Sequence, residues 1–215
     1  MKISKLYRSM VAGPVHGLGL ALFAVMAVAG PLPEVDSRAF DSLTIDRQWQ
    51  APGQATVWIE PTEVEFDRQW SRDIKRTASR VPLSRDHREE IAREAAGWMQ
   101  AALYDHIEAA GAWPAAGSPD SARLGLRSRV EALFLTTHDP LSTIARNETQ
   151  VRSVGRARLV LELVDRDSGE VVMRVSDHRQ AREYIDTRLA SPALVRQEMT
   201  GMMRRFIDEA LQHLR

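Results

Sequence analysis

Residues 154–178 read VGRARLVLELVDRDSGEVVMRVSDH, and their alternation decides the class of fold. Ala157, Leu159, Leu161 and Leu163 take one parity, while Arg156, Arg158, Val160 and Glu162 take the other. Successive side chains on a strand point to opposite faces, so this segment has one apolar face and one wet face. Val171, Met173 and Val175 resume the pattern after Asp165-Arg-Asp-Ser-Gly169, whose glycine suits a tight turn. The two halves are the strands of a β-hairpin.

The same period appears upstream in residues 122–135, ARLGLRSRVEALFL. Leu124, Leu126, Val130 and Ala132 share a face on which Ser128 is the one polar member, and Arg123, Arg127, Arg129 and Glu131 line the other. Residues 55–67, ATVWIEPTEVEFD, read as one or two short strands broken at Pro61, because proline has no N–H to give to a ladder. Two helices complete the set. Ser84 is positioned to cap the first, whose stripe runs through Ile91, Ala95, Trp98, Met99, Ala102, Leu103 and Ile107, with Glu89 and Arg93 paired on the wet side and Gly111 and Pro114 as the stop. Ser191 and Pro192 open the second, with Val195, Met199, Met202, Met203, Phe206, Ile207, Ala210 and Leu214 as its stripe. Strands with one wet face and helices with one apolar stripe predict an α+β fold of two layers: an antiparallel β-sheet of about four to five strands, covered on one face by two amphipathic helices.

The amino terminus predicts export. Residues 1–29 combine Lys2, Lys5 and Arg8, an apolar run from Gly17 to Ala29, and Ala27 and Ala29 in an A-x-A arrangement. That is the pattern of a cleavable signal peptide, and it places the chain in the periplasm. The alternative is an uncleaved inner-membrane anchor, which Gly13, Pro14, His16 and Gly17 argue against by interrupting the run before about 20 apolar residues accumulate. Residues 30–54 carry Pro31, Pro33, Pro52 and Gly53 without periodicity and read as a flexible tether, leaving 55–215 as a single domain. At 44% apolar and 27% charged residues, that domain has the composition of a folded globule. Beyond the signal there are 26 basic against 29 acidic residues, which argues against a broad nucleic-acid surface. Cysteine is absent, so thiol catalysis, thiolate metal sites, disulfides and an acylated lipoprotein cysteine are not expected.

WIEPTEVEFD at 58–67, the Trp70 that follows, and VGRARLVLELVDRDSGEVV at 154–172 together resemble the bacterial family catalogued as domain of unknown function 3313. The likeness runs from about Ala55 to the carboxy terminus. That family consists of envelope lipoproteins, so the resemblance implies an envelope location and carries no catalytic residue. The chain departs from it in lacking the lipid-bearing cysteine, so no lipid anchor is expected.

Candidate chemistry is sparse. Four histidines neighbour an aspartate, in Asp86-His87, Asp105-His106, His138-Asp139 and Asp177-His178. Adjacent residues point apart on a helix and to opposite faces of a strand, so adjacency makes no dyad. There is no G-x-S-x-G elbow, no H-E-x-x-H metal spacing and no glycine-rich phosphate loop, and Gly117, Gly125, Gly155 and Gly169 stand alone. No catalytic, cofactor or metal residue is therefore named. Met199, Met202 and Met203 read as core packing before an adaptable binding surface. The candidate site is the wet sheet face, where Arg123, Arg127, Arg129, Arg156 and Arg158 come together if the strands pair. It would suit an anionic lipid or the acidic surface of an envelope protein, unless Glu131 and Glu162 simply neutralise it. The expected role is a non-enzymatic envelope accessory or binding protein. The alternatives are a structural subunit of an envelope complex and, less favoured, a periplasmic hydrolase with an Asp/His site. The A-x-A arrangement gives the first test: the exported protein should begin at Gly30 by mass spectrometry, and an intact start in the membrane fraction would reject cleavage.

Overall fold

The computed structural model describes residues 32–50, 52–53, 55–70, 72, 84–110, 113–136 and 150–213. The signal at 1–29, the Gly111 stop, the His138-Asp139 pair and Leu214 lie outside them. In chain order the described elements are β1 (Ser42–Ile45), β2 (Val57–Ile59), β3 (Glu63–Phe66), α1 (Arg85–Ala110), β4 (Leu124–Leu135), β5 (Gln150–Val151), β6 (Gly155–Asp165), β7 (Val171–Gln180), β8 (Arg188–Leu189) and α2 (Pro192–Gln212).

The hairpin forms as its alternation predicts. β6 and β7 pair antiparallel, with Leu161 opposite Val175 and Leu163 opposite Met173. Asp165 organises the turn through its side chain, which accepts from the backbone N–H groups of Asp167 and Ser168 at 2.9 and 3.3 Å. Gly169 has φ +75°, a conformation that penalises any residue with a Cβ. β4 lies on the other side of β6, antiparallel, with Leu126 opposite Leu163 and Val130 opposite Leu159. Those leucines and valines are buried, and Ser128 is the polar exception, bonded through Oγ to Thr62 Oγ1 at 2.7 Å.

Three expectations need correction. The sheet has six strands rather than four or five, in the order β1-β7-β6-β4-β2 with β3 also on β4, and it is mixed rather than antiparallel. β2 and β3 run parallel to β4 as one edge strand broken around Pro61, because α1 stands between β3 and β4 in the chain and carries it back to the same end. The span 30–54 is not simply a tether: it contains β1, which pairs with β7 and buries Leu43 completely. Residues 33–35 fold back onto β1, Val35 N donating to Leu43 O at 2.7 Å. Finally, Ala132 does not join the inner face. At φ +49° it forms a bulge, two residues of β4 standing opposite Ala157, and the parity switches so that Leu133 and Leu135 point inward.

Both helices lie over the inner face, α1 against β2, β3 and β4 and α2 against β6 and β7, and they pack on each other. Ser84 Oγ accepts from His87 N at 3.1 Å and Ser191 Oγ from Leu194 N at 3.2 Å, so both caps are formed. Glu89 bonds Arg85 at 2.8 Å, not the expected Arg93. Ile91, Ala95, Trp98, Met99, Leu103, Met199, Met202, Met203 and Phe206 are buried, which makes the methionine group core. Gly155 is needed where β6 begins. A Cβ there would stand 2.6 Å from the Phe134 carbonyl oxygen and 3.3 Å from Met199 Sδ.

The bulge yields a stability test. A non-glycine residue at positive φ costs about 1–2 kcal/mol, and glycine returns about 0.4–1 kcal/mol of that as unfolded-state entropy. Ala132→Gly should therefore raise the unfolding free energy by about 0.5–1 kcal/mol in urea. A loss of more than about 1 kcal/mol would mean the bulge depends on the alanine methyl.

Candidate functional site

Among the described residues no helix lies over the outer sheet face. Strand alternation directs Arg127 and Arg129 of β4, Arg156 and Arg158 of β6, and Arg174 of β7 to it, and Arg123 joins at the strand entrance. The five arginines read from the sequence are therefore on one face. Arg166 and Arg174 extend the group beyond what strand alternation reveals: Arg166 belongs to the turn, and Arg174 is the one arginine in the otherwise apolar stretch Val171–Val175 of β7.

Each of these arginines has a carboxylate within 4 Å, but the pairings are unequal. Arg127 Nε lies 3.0 Å from Glu60 Oε2, Arg174 Nη2 2.8 Å from Glu162 Oε1, and Arg123 Nε 3.2 Å from Asp167 Oδ2. Arg129 reaches Glu131 at 3.4 Å and Glu162 at 3.7 Å, and Arg166 reaches Glu60 at 3.7 Å. Arg156 and Arg158 are held most loosely, 3.9 Å from Asp67 and from Glu131. Seven arginines share five carboxylates in these pairs, and Glu63, opposite Arg129 in the β3–β4 register, adds a further acid, so the face is of mixed charge. Three of the five acids, Glu60, Asp67 and Asp167, lie outside the strands that carry the arginines. A groove of about 360 Å³ crosses the face between Glu60, Pro61, Arg127, Arg129 and Glu162. Val160 forms part of its floor and is only 3% exposed, sheltered by its cross-strand neighbours Arg129 and Ser176. The stems of long charged side chains cover apolar surface in this way while their heads stay wet.

The Asp-His neighbours separate as strand and helix geometry requires. Asp177 points to the covered face and His178 to the open one. His178 Nδ1 instead lies 2.5 Å from Asp41 Oδ2, and His106 Nδ1 2.7 Å from Asp208 Oδ1 across the helix pair. These partners are 137 and 102 residues away in the chain, which no local spacing reveals. Asp177 forms an ion pair with Arg179, whose Nη2 also donates to Glu209 Oε2 at 2.6 Å and to Ala39 O at 2.9 Å. The guanidinium sits near the Phe40 and Phe206 rings, 5.7 and 6.0 Å from their centroids. Among the described residues no group of three or more histidines and acids is placed to hold a metal ion. No helix among them is long and apolar enough to cross a membrane.

Burial pushes the Asp177 carboxyl up, against the pull of Arg179. Burial works to lower Arg179, but its bonds to Glu209 and Asp177 outweigh it and the guanidinium is raised. Asp41 is lowered, chiefly by its hydrogen bond with His178. A carboxylate lowered on folding contributes stability above its unfolded value, and loses it as pH falls through the folded one. Asp177, being raised, works in the opposite sense and weakens folding as it ionises. Asp41→Asn should therefore lower the thermal midpoint at pH 6 and have little effect at pH 2.5, below the unmodified carboxylate range. Equal losses at both pH values would show that the Asp41–His178 contact is not what lowers Asp41.

No family model matches the chain, and no curated protein matches it. Among solved structures it is similar to a Xanthomonas campestris protein of family model DUF330, at 13% identity over 79% of this chain and 90% of that one, with a TM-score of 0.45. It is also similar to a PelC dodecamer from Paraburkholderia phytofirmans, at 13% identity over 76% of this chain and 93% of that one, with a TM-score of 0.39.

Proposed function

We propose that this chain is an exported, non-enzymatic accessory protein of the bacterial envelope that binds an anionic partner through its open sheet face. The observation that carries the reading is the gathering of seven arginines on one sheet face that no described helix covers, two of them, Arg156 and Arg158, lying 3.9 Å from their carboxylates. The resemblance of residues 55–215 to family 3313 supports the envelope setting, as does the signal pattern at 1–29. The non-enzymatic part is supported by the company the histidines keep. His106 and His178 are each engaged by a surface carboxylate, and among the described residues no nucleophile is bonded to either ring.

Exposed ion pairs contribute only about 0–1 kcal/mol each, so reversing charge on this face should spare the fold. Arg127→Glu with Arg129→Glu should keep the thermal midpoint within a few degrees. It should lose retention on phosphatidylglycerol vesicles, or the in-cell crosslink from a photoreactive residue at position 160 to an envelope protein, whichever the wild type shows. The wild-type contact should also weaken between low and high salt, because exposed charges are screened beyond a Debye length of about 8–10 Å. A wild type that neither binds such vesicles nor crosslinks would overturn the binding function. Turnover of ester, peptide or glycan substrates that vanishes on changing one Asp or His would overturn the non-enzymatic part.

A further inference from the structure

We propose that the hollow beside the β4 bulge is a binding site for a phosphate group, held by Arg156 and Arg158 with the Gln180 amide. It deepens the reading of the open face and rests on it. The register supplies the donors. Arg156 stands opposite Gln180 and Arg158 opposite His178, so four polar side chains form a two-by-two patch on the open side of β6 and β7. The bulge supplies the room. Where β4 would bring a further large side chain alongside, it presents Ala132, and a hollow of about 220 Å³ remains, lined by Asp67, Ala132, Arg156, Arg158, His178 and Gln180.

Both guanidinium groups are placed without being used up. Arg156 lies over the Phe134 ring, 4.1 Å from its centroid, a contact that spends no N–H group on a hydrogen bond. Arg158 Nη2 donates to Ser176 Oγ at 3.1 Å. Its Nε is buried and has no hydrogen-bond acceptor, for the nearest carboxylate, Glu131, is 3.9 Å away and beyond bonding range. That Nε is closed to a ligand as it is to solvent, so the Nη groups of this side chain, which is 41% exposed, are the ones that would meet an incoming oxyanion. His178 is held by Asp41 and serves as a wall. Asp67 is the one acid in the lining, and Arg156 stands between it and full repulsion of a ligand.

The donor set favours phosphate over carboxylate. Two guanidinium forks and an amide offer more N–H groups than two coplanar oxygens can accept, whereas a phosphate monoester presents three oxygens in a tetrahedral spread. A small phosphate ester and a lipid headgroup share that chemistry.

The test is a titration of the full chain with inorganic phosphate, following the ¹⁵N-labelled arginine Nε–H resonances. The Arg158 Nε–H signal should shift and saturate, while acetate should need about tenfold more to move it. Arg156→Gln and Arg158→Gln should each weaken phosphate binding about tenfold with an unchanged thermal midpoint, as expected for one charged hydrogen bond. Arg127→Gln should bind as the wild type does. Glycerol 3-phosphate and vesicles containing phosphatidic acid then separate the two sources, and an Arg158 shift with either supports the site. An Arg158 signal that ignores all three probes overturns it, as does a shift that survives intact in Arg156→Gln. Should phosphate fail while the Arg127, Arg129 variant still abolishes partner contact, the hollow is rejected and the broader reading of the face stands.

Discussion

The antiparallel register between β4 and β6 is the constraint on which the rest of the molecule depends. It sets Leu126 on Leu163 and Val130 on Leu159, and by the same parity it sends Arg127, Arg129, Arg156 and Arg158 to the opposite side. A slip of one residue would exchange the faces. Leucines would then meet water, and four guanidinium groups would meet Met199, Met202 and Phe206, where an unpaired buried charge costs several kcal/mol. Apolar and charged residues thus specify one register together. Once it is set, both helices can cover only the leucine side. The α1 crossover then returns the chain to the same end of the sheet, so β2 and β3 dock on β4 in parallel.

The covered face admits polar groups at only a few points, and apart from the buried indole N–H of Trp98 most are provided for. Ser128 shares its hydroxyl with Thr62. Asp177 and Arg179 continue the inward parity of β7 where α2 nears its end, and there the arginine gathers Asp177, Glu209, the Ala39 carbonyl and two aromatic rings. Desolvating a guanidinium is expensive, and several partners at once offset that cost where one would not. The cluster also joins three distant stretches of chain, the approach to β1, the end of β7 and the last turns of α2. That explains how a four-residue strand with a single fully buried side chain, Leu43, holds the edge of the sheet.

What the sequence made legible is whatever repeats with a short period. The leucines of 124–130 and 157–163, the helix stripes as far as Ala210 and the caps at Ser84 and Ser191 are local patterns, and the structure places them as read. The parts that escaped have non-local causes. SLTI at 42–45 is too short to show alternation, and what makes it a strand is the free edge of β7. EALFL at 131–135 reads as one apolar run, so the parity change at Ala132 is invisible until its pairing with β6 leaves a residue over. Direction on the β2–β3 edge depends on where α1 delivers the chain. At the face, the arginines were legible because they alternate with leucines. Their partners Glu60, Asp67 and Asp167 were not, since they come from loops and a neighbouring edge.

The distances on that face also separate two kinds of arginine. Arg127 and Arg174, at 3.0 and 2.8 Å from their acids, are satisfied, and a partner would have to displace a carboxylate already in place. Arg156 and Arg158, at 3.9 Å, are oriented by Phe134 and Ser176 more than by charge, so a ligand there displaces little. Affinity on a mixed-charge surface is governed by what must be given up as much as by what is gained. The long pairs beside the bulge are therefore where an anion gains most. The same bulge that turns Leu133 and Leu135 into the core opens the space for it.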